Sequence, residues 1–159
     1  MSFRKGEAHS LLGLTAGASA PQSTMKILVY SHDANTRTQV RLAIGRRPAA
    51  GLPEVEYVEI ATEPAVFARL DKGDIDVAVL DGEAQPAGGM GICRQAKDEI
   101  YNCPPIMVLI ARRDDGWLAT WSRADAVASQ PIDAVALAEG VAELVRKRQA
   151  GPGSELSRR

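Results

Sequence analysis

IDVAVLDGEAQP, residues 75–86, decides the fold. From Ile75 to Leu80 the side chains are apolar and mostly β-branched, with Asp76 as the one exception, and the run stops abruptly at Asp81-Gly82-Glu83. An apolar run of this length, bounded by turn residues, reads as a strand buried on both faces of a parallel sheet. Such a strand delivers the residue at its carboxyl end, here Asp81, to the side of the sheet where open α/β folds keep their ligand crevice.

Working outward, the same grammar repeats. Upstream, Lys72-Gly73-Asp74 closes a helix that Thr62 can cap, with Pro64 in its first turn and Val66, Phe67 and Leu70 facing inward. Before it, Val55 to Ile60 alternates with Glu56 and Glu59, as an edge strand with one wet face does. Pro48 to Pro53 is turn-rich, and a helix from about Asn35 carries Val40, Ala43 and Ile44 on one face. The first strand is Ile27-Leu28-Val29-Tyr30, ending at Ser31-His32-Asp33.

Downstream, a loop through Pro86 and Gly88-Gly89 leads to a helix with Ile92, Ala96 and Ile100 at helical spacing. Pro104-Pro105 introduces a strand from Ile106 to Ile110. Asp114-Asp115 begins a helix containing Trp117, Leu118 and Trp121, and Ala126 to Ser129 is a short fifth strand ending at Gln130-Pro131. The last helix is capped near Asp133, buries Val135, Val141, Leu144 and Val145, and ends in Arg146-Lys147-Arg148, suited to its dipole.

Strict alternation of strand and helix implies an α/β fold: a doubly wound, five-stranded parallel sheet in the flavodoxin-like order 2-1-3-4-5, with right-handed crossovers. The first and third strands meet at its switch point, so Ser31-His32-Asp33 and Asp81 are expected to converge. The domain is read as residues 25–148, between an N-terminal tail, 1–24, and a C-terminal tail, 149–159. The leader has an Ala18-Ser19-Ala20 imitation of a cleavage site, but its apolar stretch is short and Glu7 and His9 precede it, so it is read as a tail. Met25 is an alternative start.

Composition narrows the function classes. A net charge of −1 provides no field to draw the chain onto nucleic acid or anionic membrane, and 4% aromatics leave few stacking platforms. No apolar run approaches the roughly 20 residues of a membrane helix, so no direct membrane insertion is expected. Cys93 and Cys103 fit neither a disulfide framework nor a zinc site and are expected to be reduced thiols. Ala87-Gly88-Gly89-Met90-Gly91 is either a phosphate cradle at a helix start or, more simply, a set of turn formers, and it matches neither glycine-rich nucleotide signature. No enzyme activity, metal or cofactor is expected.

The stretches KILVYSHD (26–33), IDVAVLDGEAQP (75–86), PPIMVLIARRDD (104–115) and RADAVASQPIDAVAL (123–137) resemble, in order, the receiver domains of bacterial response regulators. The resemblance implies that Asp81 stands where that family accepts a phosphoryl group. It also implies a degenerate pocket. Ser31 and His32 take the places of the magnesium-holding acid pair, Ile110 that of a hydroxyl, and Gln130 before Pro131 that of a lysine. Val127 stands for the switch aromatic. Phosphoryl transfer relies on neutralising equatorial oxygens with metal and cations, and Ser31 and His32 are poor ligands for a hard octahedral ion, so magnesium binding is doubtful. Asp33 and Glu83 are the replacement ligands if Asp81 is active. In the plainer reading Asp81 hydrogen-bonds Ser31 or loop amides, and His32 caps or packs.

Trp117 and Trp121 lie one turn apart. They either pack onto the sheet or, with Val127, form an interaction face of the kind relatives use for partner contacts. The reading is a stand-alone pseudo-receiver in the cytoplasm that docks on a larger protein assembly. LDGEAQPAGGMGI (80–92) and WLATWSRA (117–124) are similar to actinobacterial orphan regulators encoded beside the proton-pumping NADH dehydrogenase, which implies respiratory complex I as the partner and a place at the cytoplasmic side of the membrane. The alternative is a working phosphorelay receiver served by a histidine kinase.

Overall fold

The computed structural model describes residues 24–112 and 116–157. The expected tail over 1–24 therefore lies outside it except for Thr24, as do the helix start at Asp114-Asp115 and the last two residues. The strands are β1 (Met25–Tyr30), β2 (Val55–Ile60), β3 (Val77–Asp81), β4 (Ile106–Ile110) and β5 (Ala126–Ser129). They alternate with α1 (Ala34–Ile44), α2 (Glu63–Asp71), α3 (Gly89–Glu99), α4 (Gly116–Ser122) and α5 (Ala134–Ser157). The sheet order is β2-β1-β3-β4-β5 with every pairing parallel, as the alternation requires.

Period-two alternation sorts the strands' side chains into two cores. Ile27, Val29, Val77, Val79, Met107 and Leu109 pack with Val40 and Ile44 of α1 and Leu137, Val141, Leu144 and Val145 of α5. Leu28, Tyr30, Ala78, Leu80, Ile106, Val108 and Ile110 pack on the opposite face with Val66 and Leu70 of α2 and Ile92, Cys93 and Ala96 of α3. Each fully buried Leu, Ile or Val stabilises the fold by about 1.5–3 kcal/mol. Among the described residues no helix is long and apolar enough to cross a membrane.

Several expectations shift locally. Ile75 is buried, but β3 pairing begins only at Val77, because Asp76 is engaged with Lys26, accepting its N–H at 2.8 Å and donating to its carbonyl at 2.9 Å. α1 starts one residue early, at Ala34, behind an Asp33 N-cap. Thr62 occupies the α2 cap position without a side-chain hydrogen bond. Val135, expected inside, is 66% exposed, and Leu137 is buried instead. Asp133 accepts the Ala136 N–H at 3.2 Å, which starts the helix so that Leu137, Val141, Leu144 and Val145 share its inner face. The helical backbone of α5 also continues through Ser157, past the boundary read at 148.

The edge strand carries a pH signature. Tyr57 of β2 donates its hydroxyl to the Gly45 carbonyl at 2.6 Å, and burial, partly opposed by the Arg41 charge, pushes its pKa from 10.0 up to about 12. A raised pKa means that the unfolded chain releases the proton first. The stability this group contributes is therefore present below pH 10.0 and lost as pH rises towards about 12. Urea midpoints measured across that window are expected to fall more steeply for the wild type than for Tyr57→Phe.

Candidate functional site

The carboxyl ends of β1, β3 and β5 bring Ser31, Asp81 and Gln130 together, although they are far apart in sequence. Asp81 is only 4% exposed, and both of its carboxyl oxygens are occupied. The Ser31 hydroxyl donates to Oδ2 at 2.8 Å. The Glu83 backbone N–H donates to Oδ1 at 2.8 Å, and the Gln130 side-chain amide donates to the same oxygen at 3.3 Å. None of these donors is a cation. Ser31 is itself fully buried, and its Oγ also accepts the Asp33 N–H at 3.0 Å. Ile110 is buried and closes the apolar side at the end of β4.

The neighbouring polar residues are committed elsewhere. His32 is exposed, and its Nδ1 accepts the Gln85 N–H at 3.0 Å, which ties the β1–α1 turn to the β3–α3 loop. Asp33 turns its carboxyl to the start of α1, accepting the Asn35 N–H at 2.9 Å and the Thr36 hydroxyl at 3.5 Å. Among the described residues no group of three His, Cys, Asp or Glu side chains is placed to hold a metal ion. Glu83 contributes its backbone N–H to the pocket.

Two supports were not legible as site residues. Arg37 donates Nη1 to the Ser31 carbonyl at 2.7 Å while its Nε pairs with Glu59 of β2 at 3.1 Å. Tyr30, read only as part of an apolar run, donates its buried hydroxyl to the Ala87 carbonyl at 2.6 Å. A tyrosine ending an otherwise aliphatic strand was the one available hint, since a buried phenol usually finds a partner. Gly82 lies so close to β4 that a Cβ would sit 2.5 Å from the Leu109 carbonyl oxygen, so the residue after Asp81 has to be glycine.

Ser31→Ala is expected to destabilise the fold by about 1–3 kcal/mol, since it removes one donor from a buried carboxyl group. A denaturant midpoint unchanged from wild type would show that Asp81 does not depend on the Ser31 hydroxyl.

The second surface is α4. Trp117 is 68% exposed and Trp121 48% exposed, so neither is a sheet-packing residue. Val127 of β5 is exposed as well. Trp121 faces α3: the Arg94 guanidinium lies 4.9 Å from its ring centroid, and Arg94 Nη1 donates to the Trp121 carbonyl at 2.6 Å. Below this contact Arg123 pairs with Asp98, and Lys97 pairs with Asp125 at 2.6 Å. Helix periodicity put the two tryptophans on one face but could not say which neighbouring element that face meets.

Known proteins agree with this architecture. The chain is 51% identical over 124 residues to an uncharacterized response regulatory protein of Mycobacterium tuberculosis, found in two strains, covering 78% of this chain and 93% of that one. A CheY-like response regulator receiver domain protein from Methanospirillum hungatei superposes with a TM-score of 0.61 at 18% identity, covering 80% of this chain and 98% of that one. A response regulator from Chloroflexus aurantiacus gives a TM-score of 0.64 at 16% identity, covering 78% of this chain and 99% of that one. No family model matches the chain. On the identity to the mycobacterial protein the chain belongs to the response-regulator family, and its fold is that of the receiver domain.

Proposed function

We propose that this receiver works without phosphorylation of Asp81, as a pseudo-receiver that acts through its own surface as a protein-interaction module and catalyses nothing. The observation that carries the reading is the occupancy of Asp81. Both carboxyl oxygens are satisfied by the Ser31 hydroxyl, the Glu83 amide and the Gln130 side chain, all neutral. Phosphoryl transfer to a carboxylate needs the developing charge met by metal and cation. The residues present do not fit magnesium, which demands several hard oxygen ligands in octahedral array. Ser31 is spent on Asp81, Asp33 on the α1 cap and the His32 Nδ1 on Gln85.

Incubation with acetyl phosphate and millimolar magnesium is expected to leave the intact mass unchanged. An adduct of about 80 Da, the mass of one phosphoryl group, mapping to Asp81 and absent from Asp81→Asn, would sink the reading and restore the alternative, a phosphorelay receiver served by a histidine kinase.

The partner in this reading is a larger assembly. The resemblance to orphan regulators names respiratory complex I, which would hold the domain at the cytoplasmic side of the membrane. Co-purification of NADH dehydrogenase subunits with the tagged chain from its own cells is the expected result, and a partner set without them removes that assignment.

A further inference from the structure

Arg94 and the two tryptophans form a surface distinct from the pocket. Trp117 and Trp121 are four residues apart on α4 and so lie one above the other on one helix face. Arg94 of α3 roofs Trp121 and is anchored by its bond to the Trp121 carbonyl. That bond uses one of the five guanidinium N–H donors. The adjacent cations differ: Arg123 is paired with Asp98 and Lys97 with Asp125. Among the described residues, Arg94 has no carboxylate within ion-pair distance, and its side chain is exposed.

An arginine stacked on an indole is oriented in advance and weakly hydrated, and its free edge presents a planar fork matched to a carboxylate. Beside it, the exposed Trp117 offers a large apolar surface of the type enriched among binding hot spots.

We propose that the α3–α4 surface of Arg94, Trp121 and Trp117 docks a protein segment that presents a carboxylate beside an apolar side chain. The acid takes the free edge of Arg94, and the apolar group covers Trp117. Charge complementarity argues for an acidic partner: a basic segment would face an arginine already in place, and a wholly apolar one would bury that guanidinium unpaired. Trp121 is the rigid floor, and Arg94 both binds the acid and holds the floor in position. The inference rests on the reading that the domain acts through its surface, and it specifies the chemistry of what that surface recognises.

The test is selection of random peptides displayed on phage against the immobilised full-length chain, with near-UV circular dichroism confirming that each variant is folded. Wild type is expected to enrich sequences pairing Asp or Glu with Leu, Phe or Trp. Capture of those sequences is expected to fall about tenfold or more on Arg94→Ala and on Trp117→Ala, the scale of a hot-spot truncation. Arg94→Glu is expected to select basic–apolar sequences instead, a gained specificity that loss of folding cannot imitate. Enrichment of basic or wholly apolar peptides on the wild type, an absence of enrichment, or equal capture by the variants overturns the proposal. The acetyl phosphate experiment keeps the two readings apart. Failed selection with Asp81 unmodified removes only the docking assignment, whereas an Asp81 adduct with selection intact removes only the pseudo-receiver.

Discussion

Gly89→Val is expected to cost the fold about 3 kcal/mol or more, the upper range of overpacking in a closed site. A Cβ at this position would lie 2.8 Å from the Asp81 carbonyl oxygen, 2.8 Å from the Leu80 Cβ and 2.9 Å from the Asp81 carbonyl carbon. Two of these three atoms are backbone of a central strand paired on both sides, so the neighbour cannot yield by turning a side chain. The first turn of α3 would have to lift off β3, loosening the loop that presents the Glu83 N–H to Asp81. Gly91, two residues on in the same helix, is the control. A Cβ there meets nothing within 4 Å, so Gly91→Ala is expected to stabilise by about 1 kcal/mol through helix propensity alone. Urea midpoints of the two variants should move in opposite directions. A Gly89→Val protein as stable as wild type would mean that the close approach of α3 to β3 is not required.

The second large effect is expected from rebuilding the pocket with Ser31→Asp, His32→Asp, Ile110→Thr and Gln130→Lys together. Ser31→Asp alone places a second carboxyl group where an Oγ now sits 2.8 Å from the Asp81 Oδ2, and two carboxylates sharing a buried site repel unless a cation joins them. That single variant should be markedly less stable than wild type in metal-free buffer. In the fourfold variant the new lysine and an added magnesium ion both oppose the repulsion. Its stability should rise with magnesium, by roughly 2.7 kcal/mol at a hundredfold excess over the dissociation constant, while the wild type does not respond. Acetyl phosphate should then label Asp81 of the variant and not of the native chain. If the rebuilt protein shows neither magnesium-dependent stability nor labelling, the pocket is inert for a reason other than its lost ligands.

Much of this was written in local sequence. The run from Ile75 to Leu80 required a buried parallel strand, and the strand–helix alternation around it required a doubly wound sheet, since few topologies bury every apolar face with short right-handed crossovers. Sheet order then implied that Ser31 and Asp81 meet, and they do, at 2.8 Å. That Ser31, His32, Ile110 and Gln130 take the places of a receiver's site residues was implied by the resemblance alone; strand ends place them along one edge of the sheet, and His32 turns to Gln85.

What local pattern could not supply was the partner of each polar group. Periodicity states which face a side chain occupies but not what lies opposite. Asp33 was placed beside Asp81 by the sheet order, whereas its carboxyl turns to cap α1. Helical spacing put Val135 in the core, and the Asp133 cap, by setting the start of α5, put Leu137 there instead. Tyr30 with Ala87, Arg37 with Glu59 and Arg94 with Trp121 are pairs separated by 57, 22 and 27 residues. By itself the sequence determined the sheet, its order and the convergence of Ser31 with Asp81, because burial of apolar surface is encoded residue by residue. Only the tertiary structure decided that the Asp81 oxygens are already taken and that Arg94 roofs Trp121, because a hydrogen bond is chosen by distance and angle between groups that the chain brings together only once it has folded.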